Sequence, residues 1–187
     1  MQNHSGIRDA MLATIPNLRA FAISLTNRNR DQADDLVQST LTKALASIDR
    51  FEPGTNIGAW LITILRNEFY SSARKRKHEG QDRDDLHATR LATAPEQHWR
   101  LDLQDMWAAL AKVRLEHREA LLLVAAEGMS YDEAAQVCGV PAGTVKSRVH
   151  RARMDLARLL KLEGQDELRP DRTMQAAIQG SLLQAAA

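Results

Sequence analysis

Between residues 31 and 48, Leu36, Val37, Leu41, Ala44, Leu45 and Ile48 recur at spacings of three, four and seven. That spacing brings apolar side chains back to one face of an α-helix at every turn. The same period runs through residues 7–25 (Ile7, Met11, Leu12, Ile15, Leu18, Ile23) and 57–77 (Trp60, Leu61, Ile64, Leu65, Phe69). It resumes at Leu101 with Leu103, Met106, Trp107, Leu110 and Val113. Ala and Leu dominate the composition, with only 9 Gly and 5 Pro in 187 residues, which favours an all-α protein. Pro16 stands inside the first periodic stretch, where a kink or interruption is expected.

The period fails between His78 and about Trp99, where HEGQDRDDLHATRLATAPEQHW is polar and mixed in charge. Such a segment reads as an interdomain linker, with a short helical turn left open within it. The expected architecture is therefore two small helical domains, residues 7–77 and 102–162, joined by a linker over 78–101. A tail, 163–187, follows, with Met174, Ile178 and Leu182 four apart; a weak amphipathic helix and no fixed structure both remain open for it. The N-terminus lacks the basic-then-apolar order of a signal peptide, and no run is long enough to span a membrane. The single cysteine, Cys138, cannot form an internal disulfide and is read as a small buried residue. A cytoplasmic protein is expected.

Local signals are densest in the second domain. The helix over 116–127 ends at Gly128, a C′ signal. Ser130 to Glu133, SYDE, fits a capping box that starts a short helix reaching Cys138. Gly139 and Val140 make a turn, and Pro141 suits the first turn of the next helix, where its missing N–H is not needed. A small residue, Ala134 or Ala135, lies where two helices must approach closely. Short helix, tight turn and longer helix make a helix-turn-helix. With Val145, Val149, Ala152 and Leu156 on the core side, the opposite face shows Lys146, Ser147, His150, Arg151 and Met154. Between residues 141 and 162 stand six basic residues (Lys146, Arg148, Arg151, Arg153, Arg158, Lys161) against one acid, Asp155. That is a local excess of five positive charges in a chain whose formal total is +1. Basic side chains neutralise phosphates and release counterions, and residues near the start of such a helix reach base edges in the major groove. An isolated basic helix is usually just a solvated face; the cap, turn and proline in order favour a DNA reader here.

The helix over 57–77 ends RNEFYSSARKRKH. Cations beside aromatics suit single-stranded nucleic acid, although cations also favour any helix C-terminus through its dipole, with Phe69 in the core. Asp31, Asp34 and Asp35 near a helix start are good dipole partners. No nucleophile or metal-binding set accompanies them, the six histidines show no paired spacing, and no glycine-rich phosphate loop is present. No catalytic constellation, metal site or cofactor is expected.

In this order, DDLVQSTLTKALASIDRFEPGTNIGAWLITILRN resembles region 2, and REALLLVAAEGMSYDEAAQVCGVPAGTVKSRVHRAR region 4, of bacterial sigma factors of the extracytoplasmic-function group. The resemblance covers about 10–77 and 102–162, and the wording is most similar to the general-stress subgroup of alphaproteobacteria. The bulky domain that housekeeping sigma factors carry between these regions is absent. It implies that the first domain docks on the β′ clamp coiled coil of RNA polymerase through Asp34, Asp35, Leu36, Gln38, Ser39 and Lys43, and that the second meets the β flap. Recognition and opening of the −10 element fall to Asn67, Tyr70, Arg74, Lys75, Arg76, Lys77 and His78. Duplex −35 readout falls to Lys146, Ser147, His150 and Arg151, with Thr144, Arg148 and Arg153 nearer the backbone. The resemblance further implies a small helical anti-sigma partner. The alternative is a sigma-like decoy in a partner-switching pathway, which would show a degraded basic face. One departure stands out: the family often has Leu-Pro before REALLLV, whereas here VRLEH stands there, so the helix start is expected to differ.

Overall fold

The computed structural model describes residues 4–78 and 98–161, which fall into two compact units. Every regular element among them is helical. The first unit holds α1 (His4–Leu25), α2 (Arg30–Ala46), a 3-10 turn (Ile48–Arg50) and α3 (Ile57–His78). The second holds α4 (His98–Lys112), α5 (Leu115–Ala125), α6 (Tyr131–Cys138) and α7 (Ala142–Leu160). The linker reading of 78–101 is corrected at both ends, since His78 closes α3 and α4 already begins at His98. Residues 79–97 and the tail after 161 lie outside the described residues.

In the first unit the three helices pack mutually around Met11, Leu18, Phe21 and Leu25 of α1, Leu36 and Val37 of α2, and Leu61, Ile62, Leu65 and Phe69 of α3. α1 runs on through Pro16 without a break in its helical assignment. The residue four positions back, whose carbonyl loses its N–H partner, is Leu12, which is 63% exposed, so water can take the bond. α1 stops at a tight turn. Asn27 and Arg28 adopt left-handed φ of 49° and 68°, the Arg28 N–H returns to the Ile23 carbonyl at 2.9 Å, and Asn29 then caps α2 by accepting from the Gln32 N–H at 3.1 Å. α2 ends at Ala46, two residues before the expected Ile48, yet Ile48 still reaches the core from the 3-10 turn. The Pro53-Gly54 turn is present, with Gly54 at φ +93°, a conformation glycine adopts without steric cost. Asn56 caps α3, its side-chain oxygen accepting from the Ala59 N–H at 3.1 Å.

The second unit is built on α5, which is buried from His117 through Leu123. It starts at Leu115 with no side-chain cap, the Arg114 carbonyl accepting from the His117 and Arg118 N–H groups. A helix therefore forms here without the proline. Arg118 is buried and donates from Nη1 to the Leu110 carbonyl at 3.2 Å, tying α5 to the end of α4. At the other end Gly128 takes φ +67°, and the Met129 N–H returns to the Leu123 carbonyl.

Candidate nucleic-acid and polymerase interfaces

α7 is held from below and aimed from its N-terminus. The Ser130 hydroxyl accepts from the Glu133 N–H at 3.2 Å while the Glu133 carboxylate accepts from the Ser130 N–H at 2.8 Å, a complete capping box. The Ser130 N–H first, and then the Ser130 hydroxyl, which donates to the same carboxylate at 2.8 Å, hold the Glu133 carboxyl below its usual range. Gly139 at φ +66° ends α6, and the Val140 N–H closes the turn on the Ala135 carbonyl at 3.1 Å. Pro141 precedes α7 as its N-cap residue, one position earlier than expected, because its carbonyl is already the acceptor for Thr144 and Val145 N–H groups. Ala134 is fully buried where α6 and α7 pack.

The core stripe of α7 is Val145, Val149, Ala152 and Leu156, each no more than 1% exposed. Sinking that stripe leaves Lys146, Ser147, His150 and Arg151 exposed together on the other side, with Met154 beyond them. Thr144, Arg148 and Arg153 flank the stripe half-buried. The one acid, Asp155, is half-buried and lies 3.6 Å from Arg158, away from the helix start. The face is thus a cationic strip at the N-terminal half of a helix braced by α5 and α6.

The second cationic region is different in kind. Asn67 is exposed and Tyr70 half-buried. The Arg66 guanidinium lies 4.8 Å from the centroid of the Tyr70 ring, and Phe69 meets that ring edge-on at 5.3 Å. Phe69 itself is largely in the core, at 9% exposure. Arg66, Asn67, Tyr70 and Arg74 line a shallow hollow on α3. Arg66 was not singled out from the sequence, although its spacing of four from Tyr70 makes the contact legible. Arg74, Lys75 and Arg76 stand exposed on the last turns of α3; the side chains of Lys77 and His78 lie outside the described residues.

On α2, Asp34, Asp35, Gln38 and Lys43 are exposed and Ser39 half-buried. Leu36 is 8% exposed and packs mostly inside the bundle, with an edge open to a hollow beside Asp35 and Ser39. α2 lies between α1 and α3 and buries a wide arc, Ala33, Leu36, Val37, Thr40 and Ala44. Asp34 is engaged by Arg19 of α1 through two bonds, Nε at 2.7 Å and Nη2 at 3.0 Å. Lys43 donates to Glu68 of α3. A second hollow, lined by Thr26, Gln32, Asp35, Leu36, Ser39, Phe69, Ser72 and Arg76, brings three of the expected polymerase-docking residues beside one of the expected −10 residues. Among the described residues no helix is long and apolar enough to cross a membrane, and no group of acids, His and Cys could hold a metal.

Residues 12–79 match Sigma-70 region 2, and residues 103–156 match Sigma-70, region 4. The ECF RNA polymerase sigma factor EcfG of Rhodopseudomonas palustris (strain TIE-1) is 51% identical over 175 residues, covering 94% of this chain and 96% of the relative. The chain belongs to the ECF RNA polymerase sigma factors. Among solved structures, the sigma factor RpoE of Bartonella quintana, crystallised with the anti-sigma factor NepR, shares 50% identity at a TM-score of 0.75 over 85% of this chain and 99% of that one. CnrH, solved with the cytosolic domain of CnrY, shares 28% identity at a TM-score of 0.62 over 87% and 92%. In this sigma factor the region 4 match holds the whole exposed face of α7 from Thr144 to Met154, and the region 2 match holds both the α2 acids and the α3 cations. Its relatives are sigma factors, which are not enzymes.

Proposed function

We propose that this ECF sigma factor directs core RNA polymerase to stress-response promoters, gripping the −35 element as duplex with α7 and melting the −10 element with α3. The observation that carries the reading is the exposed strip Lys146, Ser147, His150 and Arg151 on a helix braced by α5 and α6, at the site of a five-charge local excess. Lys and Arg donate to guanine in the major groove, and the flanking cations answer phosphates. The hollow of Arg66, Asn67, Tyr70 and Arg74, with the cations at the end of α3, suits a displaced strand. Extruding a base costs a few kcal/mol, so binding to polymerase must supply part of the work and the free chain should hold promoters weakly. Docking on the β′ clamp is assigned to Asp34, Asp35, Leu36, Gln38, Ser39 and Lys43, and region 4 to the β flap. The similar sigma factor RpoE is solved with the anti-sigma factor NepR, which supports the reading that a small helical anti-sigma protein holds this one inactive. Its place of action would be the cytoplasm, with the polymerase. A decoy that never touches DNA has no use for the basic strip of α7.

Run-off transcription with core polymerase tests the reading. Arg151→Ala should lose −35-dependent transcription and keep polymerase binding. Unchanged transcription would remove Arg151 from the base-reading set, and no transcription by the native chain from any promoter of a randomised pool would favour the decoy.

A further inference from the structure

The Ser147 Oγ lies 2.9 Å from the backbone carbonyl oxygen of Thr144, one turn earlier on α7. A carbonyl has no proton to give, so the serine hydroxyl is the donor and its single proton is in use. What the oxygen still offers outward is its lone pairs. Ser147 is exposed on the same strip as Lys146 and Arg151, whose side chains donate and cannot accept. A partner meeting that strip therefore finds a hydrogen-bond acceptor at Ser147, flanked by donor-only groups.

We propose that Ser147 determines specificity within the −35 element by selecting a base that carries an exocyclic amino group, adenine or cytosine, at one position. The proposal rests on the assignment of α7 to duplex −35 DNA. In the major groove adenine offers its N6 amino group and cytosine its N4 amino group, and either can donate to the free lone pair of Ser147. Guanine and thymine present O6 and O4 instead, acceptors that would face the serine oxygen lone pair to lone pair. To serve them the hydroxyl has to give up the Thr144 carbonyl and turn its proton outward, losing one hydrogen bond to gain another. Lys146 and Arg151 have the opposite polarity and suit guanine. The strip thus divides the work, with long cations reading acceptor edges and the short serine reading a donor edge.

The experiment is run-off transcription by the full chain with core polymerase from a promoter pool randomised across the −35 element, with the transcripts sequenced. The native protein should enrich adenine or cytosine over guanine or thymine at one position by about fivefold, the size of one net neutral hydrogen bond. Ser147→Ala should level that position and leave guanine preferences elsewhere unchanged. Alanine at an exposed helical position should keep the native circular dichroism and melting temperature, which is checked on the same sample. The proposal is overturned if the alanine variant selects the same sequences as the native chain, or if the preference it loses is for guanine or thymine. Arg151→Ala is sequenced in parallel. If the native pool shows no −35 selection and this variant changes nothing, the assignment of α7 to the −35 duplex has failed and the Ser147 proposal with it.

Discussion

α7 and α3 both carry cations, and they hold them in opposite ways. On α7 the burial stripe and the exposed strip are cleanly separated: four side chains at 1% exposure or less face inward, and Lys146, Ser147, His150 and Arg151 face out. In the first unit the candidate residues are woven into the bundle. Arg66 is stacked on Tyr70, Phe69 is core, Asp34 is held by Arg19, and Lys43 by Glu68. A reader of intact duplex needs only a rigid helix presented to a groove. A surface that must dock a polymerase and also receive a displaced strand is broad, and its polar groups take internal partners until an external one competes for them. On the proposed assignment, α7 presents its strip by folding alone, whereas residues of the α2–α3 surface would exchange internal partners to meet the polymerase.

The largest expected effect tests whether α7 depends on its own unit alone. Leu156 is 1% exposed at the end of the buried stripe, and Leu156→Ala should cost about 2–5 kcal/mol through lost burial and the cavity left behind. Because residues 4–78 and 98–161 form separate compact units, the loss should appear as a lower melting transition for the second unit and unchanged hydrogen exchange in the first. Polymerase binding through α2 should survive. A fall in protection in both units together would show that they fold as one and would undo the comparison.

A smaller effect is expected from acid. His117 on α5 is 8% exposed and its Nδ1 has no hydrogen-bond partner. Burial first, then the Arg114 charge, push its pKa below the ordinary 6.5; Arg151 pushes the same way, while Asp155 and Glu116 oppose. The unfolded chain therefore takes up the proton before the folded one does. The second unit should have its full stability above about pH 6.5 and lose it as the pH falls from there toward the folded pKa. Urea unfolding midpoints followed by a probe in this unit should decline over that window, and His117→Leu should flatten the decline. An identical slope in the variant would mean that other groups cause it.

Much of the fold was legible because helical period and caps are local. The spacing of Val145, Val149, Ala152 and Leu156 names the buried face of α7, and SYDE names the start of α6, since each feature is set by residues within a turn or two. What was not legible depends on partners distant in the chain. The period of α2 marks one apolar face that includes Leu36 and Leu45, but a helix packed against two others buries Ala33 and Thr40 as well and leaves Leu45 47% exposed. The Arg19–Asp34 pair joins residues on different helices, with no local signal. Pro16 marks a possible break, but whether α1 continues turns on the exposure of the carbonyl it orphans, a tertiary property. The exposed face of α7 was therefore legible almost whole, whereas the internal partners of the α2 residues were not.

The smallest expected change in stability gives the sharpest test of that set. Arg19 and Asp34 form a two-bond ion pair with both side chains substantially exposed, 31% and 49%. Exposed pairs of this kind contribute about 0.2–1 kcal/mol because water and salt screen them. Asp34→Asn keeps the shape and most of the hydrogen bonding, so thermal unfolding should barely move. If Asp34 serves only to tie α1 to α2, polymerase affinity should barely move either. If it serves the polymerase, affinity should fall by far more than stability does, and Arg19→Gln, which breaks the same internal pair but leaves the carboxylate in place, should keep or strengthen binding by releasing it. Opposite signs for the two variants in a titration against core polymerase would place Asp34 at the interface. Equal, small losses would leave it a bundle residue and shift the docking assignment onto Asp35, Leu36, Gln38, Ser39 and Lys43.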